Sequence, residues 1–243
     1  MPASPLTPGP ERPIHELLAH VRPRERARED RPFVYVAMIS TVDGRAAADG
    51  RSAALGDEAD LEMLLELRTL ADAVLIGTGT LRAEGYARLV RNPERRARRR
   101  AGNMADDPLA VLITRGFEIP WEAGLFQAAE QPVLICAGAE GEPPDVPAPV
   151  EVVHMLQPTL VALFAELRAR GVRSLLCEAG PTLHGALHRE RLVDELFLTV
   201  APLLTGDPGE PTIVEGGRLP EGVDLRLEAV LRHGSELFLR YAV

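Results

Sequence analysis

The chain has 243 residues, 46% hydrophobic and 26% charged, which suits one large globular domain and excludes disorder for most of its length. A formal net charge of −9 argues against nonspecific nucleic-acid binding, because phosphate neutralisation needs a basic face. All 27 basic residues are arginine, so lysine-imine chemistry and a Walker-type phosphate loop are ruled out, while bidentate recognition of phosphate is well served.

Residues 1–31 mix prolines with the charge run RPRERARED around one short helical candidate, IHELLAH. They read as an N-terminal arm, partly disordered or packed as a short helix, ahead of a single domain over 32–243. No secretory leader or span of roughly 20 apolar residues is present, so the expectation is a cytoplasmic protein with no membrane partner. From Phe33 the run FVYVAMIS has the texture of a strand buried on both faces, followed by the loop DGRAAADGRS. Residues 57–70 place leucines near helical spacing with acids in the first turn, predicting a helix. The strand ADAVLIG leads into GTGTLRAEGYARLVR, and RNPERRARRRAGNMADD reads as a charged surface excursion, a solvated loop or helix. Strands LAVLIT, PVLIC and VEVVHM follow, then a helix over 158–170 capped by Gly171. RSLLCEAG is a strand, PTLHGALHRE a short helix, DELFLTVAPLL another strand, and VDLRLEAVLRH with SELFLRYAV an antiparallel pair. The pattern predicts an α/β fold: a mixed, mostly parallel sheet flanked by helices, with antiparallel C-terminal strands. Cys136 and Cys177 lie in apolar runs without CxxC spacing and read as buried thiols.

Three turns stand where chemistry sits in such sheets, just beyond a strand. Gly77-Thr78-Gly79-Thr80-Leu81-Arg82 and Glu178-Ala179-Gly180-Pro181-Thr182-Leu183 combine glycines, for close backbone approach, with hydroxyl donors. Two such turns point to a dinucleotide, although neither is a Rossmann fingerprint. Ser40-Thr41-Val42-Asp43-Gly44-Arg45 is the third, with a local Asp-Gly turn as the equal alternative. His184 and His188 can share a helix face, but without a third ligand no metal site is expected.

Together these segments resemble the C-terminal reductase domain of the riboflavin-biosynthesis deaminase/reductase, a member of the dihydrofolate-reductase fold group. The resemblance rests on S-x-x-DGR-xA (Ser40–Ala47), the G-x-S of Gly50–Ser52, Leu67-Arg68 before Asp72–Gly77, Gly79–Glu84, EAGPTLHGAL (Glu178–Leu187) and LVDELFLTVAPLLTG (Leu192–Gly206). It implies an NADPH-dependent reductase that opens the ribose of 5-amino-6-(5-phosphoribosylamino)uracil, or a close analogue, to the ribityl form, in a homodimer. It further implies substrate contacts from Ser52, Arg68, Arg91 and Glu178, with Glu178 also catalytic. Cofactor contacts are implied for Ile39, Ala54, Gly77, Gly79, Thr80, Glu84, Thr114, Gly180, Pro181, Thr182 and Leu183. Asp194 and Glu195 start a strand and are expected to be structural. Where the family carries D-D/N-P-x-L-x-x-R, this chain reads Glu84-Gly85-Tyr86-Ala87-Arg88-Leu89-Val90-Arg91, which opens the alternative of another pterin-like or heterocyclic substrate. A non-catalytic nucleotide-binding protein is the remaining alternative. The zinc signature of the deaminase half is absent.

Overall fold

The computed structural model describes residues 12–219 and 221–243, so the first third of the expected arm, 1–11, lies outside the described residues. Strands β1 (Phe33–Thr41), β2 (Ala73–Gly77), β3 (Leu109–Thr114), β4 (Val133–Ala137), β5 (Val150–His154), β6 (Ser174–Cys177), β7 (Glu195–Ala201), β8 (Arg226–His233) and β9 (Glu236–Ala242) form one sheet. Their order is β5-β4-β3-β2-β6-β1-β7-β9-β8; β1 to β7 are parallel, and β9 runs antiparallel to both β7 and β8. The helices are α1 (Ile14–Leu17), α2 (Glu58–Leu70), α3 (Thr78–Glu84), α4 (Pro93–Ala101), α5 (Leu160–Ala169) and α6 (Pro181–Arg189).

Side chains alternate across the strands, and this alternation builds two cores. Phe33, Tyr35, Val74, Ile76, Leu112 and Ile135 pack with Met63 and Leu67 of α2 and Leu81 of α3 on one face. Val34, Val36, Leu75, Val111 and Leu134 meet Leu163 and Phe164 of α5 and Leu187 of α6 on the other. Each fully buried large apolar side chain contributes roughly 1.5–3 kcal/mol of transfer free energy, which explains why strands covered on both sides read as near-continuous apolar runs. Cys136 and Cys177 are buried free thiols inside this second core.

The described part of the arm, residues 12–31, is packed: Leu18 and Val21 enter the α2-side core. Arg31 and Arg28 grip Asp194 at 2.5 and 2.8 Å, Arg26 pairs with Glu195, and Arg24 reaches Asp72. Asp194 also accepts the Val34 N–H, and Glu195 the Arg240 guanidinium, so both acids are structural. The charged excursion over 91–107 differs from its expected solvated character. It holds α4, N-capped by Asn92, with Arg95 and Arg98 on Glu66 and with Arg99 only 1% exposed. Arg99 is buried because its guanidinium donates to the carbonyls of Arg68, Thr69 and Ala71 at the end of α2, of which Arg68 also takes the Ala71 N–H, and through Nε to Ala105.

Candidate active site

The seven parallel strands present their C-terminal ends to one rim. There the chain leaves β2 into α3 on the α2 side of the sheet, and leaves the neighbouring β6 into α6 on the opposite side. Connections that diverge from adjacent strands open a crevice between them. A cleft of about 1740 Å³ occupies that point.

Adjacency of β2 and β6 brings the two glycine turns together. A Cβ on Gly180 would stand 3.1 Å from Thr80 Oγ1, and one on Gly77 3.8 Å from the Gly180 nitrogen. The cradle is therefore shaped by absent side chains, with Thr80, Thr182 and the first turn of α6 facing it. Ile39, Gly79, Thr114, Pro181 and Leu183 line the same cleft. Ala54 does not; it is exposed in the 3₁₀ turn Ser52–Ala54, and Ala53 lines the cleft in its place.

Glu178 is the first residue beyond β6, 6% exposed and held by its N–H on the Leu75 carbonyl. Its carboxylate takes Nε and Nη2 of Arg68 at 2.7 and 2.6 Å, a fork that α2 delivers from its last turn. The Tyr86 hydroxyl donates to the same carboxylate at 2.8 Å, and the Arg68 guanidinium lies 5.2 Å from the Tyr86 ring centre. Burial, then the Glu178 charge, pushes the Tyr86 hydroxyl well above the usual phenol range. Burial opposes the charge on Arg68 but the Glu178 carboxylate outweighs it, so its guanidinium is held more firmly protonated. Tyr86 reaches this position because Gly85 takes a left-handed conformation (φ +62°) at the end of α3.

Ser52 and Glu84 meet directly: the Ser52 N–H and hydroxyl donate to Glu84 Oε1 at 2.7 and 2.8 Å. Arg91 lines the cleft but is exposed at its mouth. Asp43 has the local role: it accepts from Thr41 Oγ1 at 2.6 Å and from the Gly206 and Thr205 N–H groups, which pull its carboxyl down to about 2. His184 and His188 do face each other, Nε2 to Nε2 at 2.9 Å, with His184 Nδ1 on the Ile213 carbonyl. Burial first, and the neighbouring ring second, push His188 down to about 4, so this pair is neutral and pins the 211–217 loop on α6. Gly185 is required beneath that loop, since a Cβ there would overlap the Glu215 carbonyl. Among the described residues no group of three His, Cys, Asp or Glu is arranged to hold a metal ion. Nor is any described helix long and apolar enough to cross a membrane.

Sequence reasoning missed Tyr86, Asp60 and Thr199 as cleft residues. Tyr86 was visible as a departure from the family stretch, whereas Asp60 read as one more acid in a helical first turn.

Residues 32–239 match the family model described as the RibD C-terminal domain. The chain belongs to this family. Among its relatives is the 2,5-diamino-6-ribosylamino-4(3H)-pyrimidinone 5′-phosphate reductase of Archaeoglobus fulgidus, 28% identical over 191 residues, covering 76% of this chain and 87% of that protein. The RibD-family chain superposes on a pyrimidine reductase-like protein of Corynebacterium diphtheriae with a TM-score of 0.78 at 23% identity, covering 94% and 98% of the two chains. A dihydrofolate reductase of Enterococcus faecalis shares the fold at a TM-score of 0.51 and 11% identity, with 86% of this chain and 95% of that one covered. The sheet of this RibD-family domain is thus of the dihydrofolate-reductase type, and the chain stands among the oxidoreductases.

Proposed function

We propose that the chain is an NADPH-dependent reductase of a ribosylaminopyrimidine 5′-phosphate in riboflavin biosynthesis. The observation that carries this reading is the meeting of the twin glycine turns with the Arg68–Glu178–Tyr86 group at one switch point. A dinucleotide fits the first feature, because the space that Cβ atoms on Gly77 and Gly180 would take is left for a diphosphate beside Thr80, Thr182 and the α6 N-terminus. When bound there, NADPH supplies the hydride. Glu178 offers its remaining lone pair to ribose hydroxyls and favours positive charge building at C1′, while Arg68 and Tyr86 hold it in one rotamer. Arg68 Nη1 makes no protein hydrogen bond among the described residues and, with Arg91 at the cleft mouth, is free to take the substrate phosphate. Arg115 lines the cleft near the end of β3 and suits the cofactor's 2′-phosphate, whereas Arg82 lies outside the cleft and donates to the Glu118 carbonyl. The cytoplasm and a homodimer complete the proposal.

Spectrophotometric NADPH oxidation with synthetic 2,5-diamino-6-ribosylamino-4(3H)-pyrimidinone 5′-phosphate and with 5-amino-6-(5-phosphoribosylamino)uracil tests it. Turnover of either, with the ribityl product identified by mass spectrometry, is the expected result. Absence of turnover of both would sink the reading.

A further inference from the structure

The arm reaches the cleft from behind. Its Leu18 and Val21 are buried in one cluster with Met63 and Leu67 of α2 and Phe197 of β7. The arm precedes the stretch matched by the family model, which begins at residue 32, so this packing is an addition to the shared domain. Met63, Phe197 and Thr199 line the cleft and also line a second, small cavity of about 40 Å³, whose other walls include Leu17, Leu18 and Phe238. The partition between the cleft and the arm is therefore one side chain thick.

β7 ties that partition to the arm a second time. Glu195, Phe197 and Thr199 alternate onto one face of the strand, so this face leads from the arm's anchor to the cleft over about 13 Å. At its start the buried Glu195 takes Arg26 of the arm, and Nε and Nη2 of Arg240 at 3.0 and 2.7 Å. The Arg240 guanidinium lies 5.9 Å from the Phe197 ring centre and donates to His20 of the arm at 2.9 Å. Dispersion contacts fall away steeply across a gap, so the small cavity leaves the rear of Met63 and Phe197 dependent on the neighbours that do reach them. Leu18 is the one buried arm residue among these. The glycine turns lie elsewhere, after β2 and β6, with β1 between β6 and β7. Two strand spacings, about 10 Å, thus separate β6 from the Phe197 wall.

Resting on the reductase reading above, we propose that the arm is a positioning element of the active site. Leu18 lines the rear cavity and not the cleft; it acts through Met63 and Phe197, fixing the wall against which the substrate packs at the end away from the glycine turns. A wall already held in place need not be ordered when the ligand arrives, and this preorganisation strengthens binding. Truncating Leu18 enlarges the rear cavity and lets both side chains retreat, which weakens substrate and leaves the diphosphate cradle as it is.

Steady-state kinetics of the full chain with NADPH and 2,5-diamino-6-ribosylamino-4(3H)-pyrimidinone 5′-phosphate test this, alongside NADPH affinity by nicotinamide fluorescence. Leu18→Ala should raise the KM for the pyrimidine at least about fivefold, with kcat and the NADPH Kd within about twofold of wild type. Leu18→Met conserves volume and should keep the wild-type KM. Leu18→Val, a milder truncation that decides the matter if the alanine variant does not fold, should raise KM about threefold. An unchanged KM in either folded truncation, a loss shared equally by NADPH, or a Leu18→Met protein as impaired as Leu18→Ala would each reduce the arm to a stabilising role and overturn the proposal. If the pyrimidine is not turned over, the reductase reading fails separately, and amide hydrogen exchange of the same variants decides the role of the arm. Faster exchange confined to α2 and β7 supports it; exchange unchanged there, or accelerated alike in α5 and α6, refutes it.

Discussion

Glu178 carries the densest set of demands of any residue in the cleft. Its fork with Arg68 is nearly buried, with side-chain exposures of 3% and 13%, so Glu178→Gln leaves a desolvated guanidinium without its counter-charge. We expect stability to fall by about 3 kcal/mol, with kcat/KM reduced at least tenfold and NADPH affinity within about twofold of wild type. Denaturant titration, single-turnover oxidation and cofactor fluorescence separate these effects, and wild-type turnover in the variant would remove Glu178 from the chemistry. Tyr86→Phe removes one bond to the same carboxylate while keeping the ring against Arg68; it should lower kcat by roughly threefold to tenfold and leave the fold intact. Glu236 gives the pH dependence. Burial and the neighbouring Asp57 push its carboxyl up from the ordinary glutamate range to about 7. The folded state therefore keeps a proton that the unfolded chain releases, so this group's contribution falls as pH rises from about 4.5 to about 7 and is flat above. Wild type should lose on the order of 2 kcal/mol relative to Glu236→Gln between about pH 5 and about pH 8. Parallel stability curves for the two proteins would show that Glu236 titrates normally.

At the scale of elements, α4 is an accessory that became part of the core. Its Arg99 closes the carbonyl end of α2, the helix that carries both Asp60 and Arg68. Arg99→Met keeps much of the apolar stem but leaves the Thr69 and Ala71 carbonyls without their donor, and should cost about 3 kcal/mol in urea denaturation. The Michaelis constant should rise with it, because the arginine fork sits at the loosened end. A variant as stable as wild type would mean that water replaces the guanidinium freely. The 211–217 loop shows the complementary arrangement, in which a neutral histidine pair and a required glycine hold a segment without charge.

For the whole molecule, β8 is an outer strand of the sheet with no further partner among the described residues, and Leu225 just before it, Leu227 on it and Leu237 on neighbouring β9 are exposed. We expect this edge to lie in the contact of the proposed homodimer. Light scattering at micromolar concentration should give twice the chain mass, and Leu227→Arg should return it to the monomer. A monomer mass for the unaltered protein would end the dimer proposal. The arm bears on the same scale: removing residues up to 28 takes away Leu18, Val21 and the Arg26 and Arg28 ion pairs, so the melting temperature should drop by several degrees.

The sequence by itself determined the order of the strands and of helices α2, α5 and α6, the buried thiols and the two glycine turns, but not α3. All are local: β-branched runs, helical leucine spacing and glycines after strands act within a few residues of themselves. Family membership was legible for the same reason, in segments such as Glu178–Leu187 and Leu192–Gly206. Only the tertiary structure decided which charges meet. Arg68 and Glu178 are 110 residues apart in sequence and Tyr86 and Glu178 92, and their contacts follow from β2 lying beside β6 and from Gly85 turning the chain. The arginine run of α4 looked solvated because charge alone predicts exposure. Arg99 is buried because one helix ended with carbonyls that another could satisfy, and such pairing between elements leaves no periodic trace in the chain. Asp60 was legible only as a helical acid; that it lines one cleft with Thr199, 139 residues later in sequence, follows from the packing of α2 on the sheet.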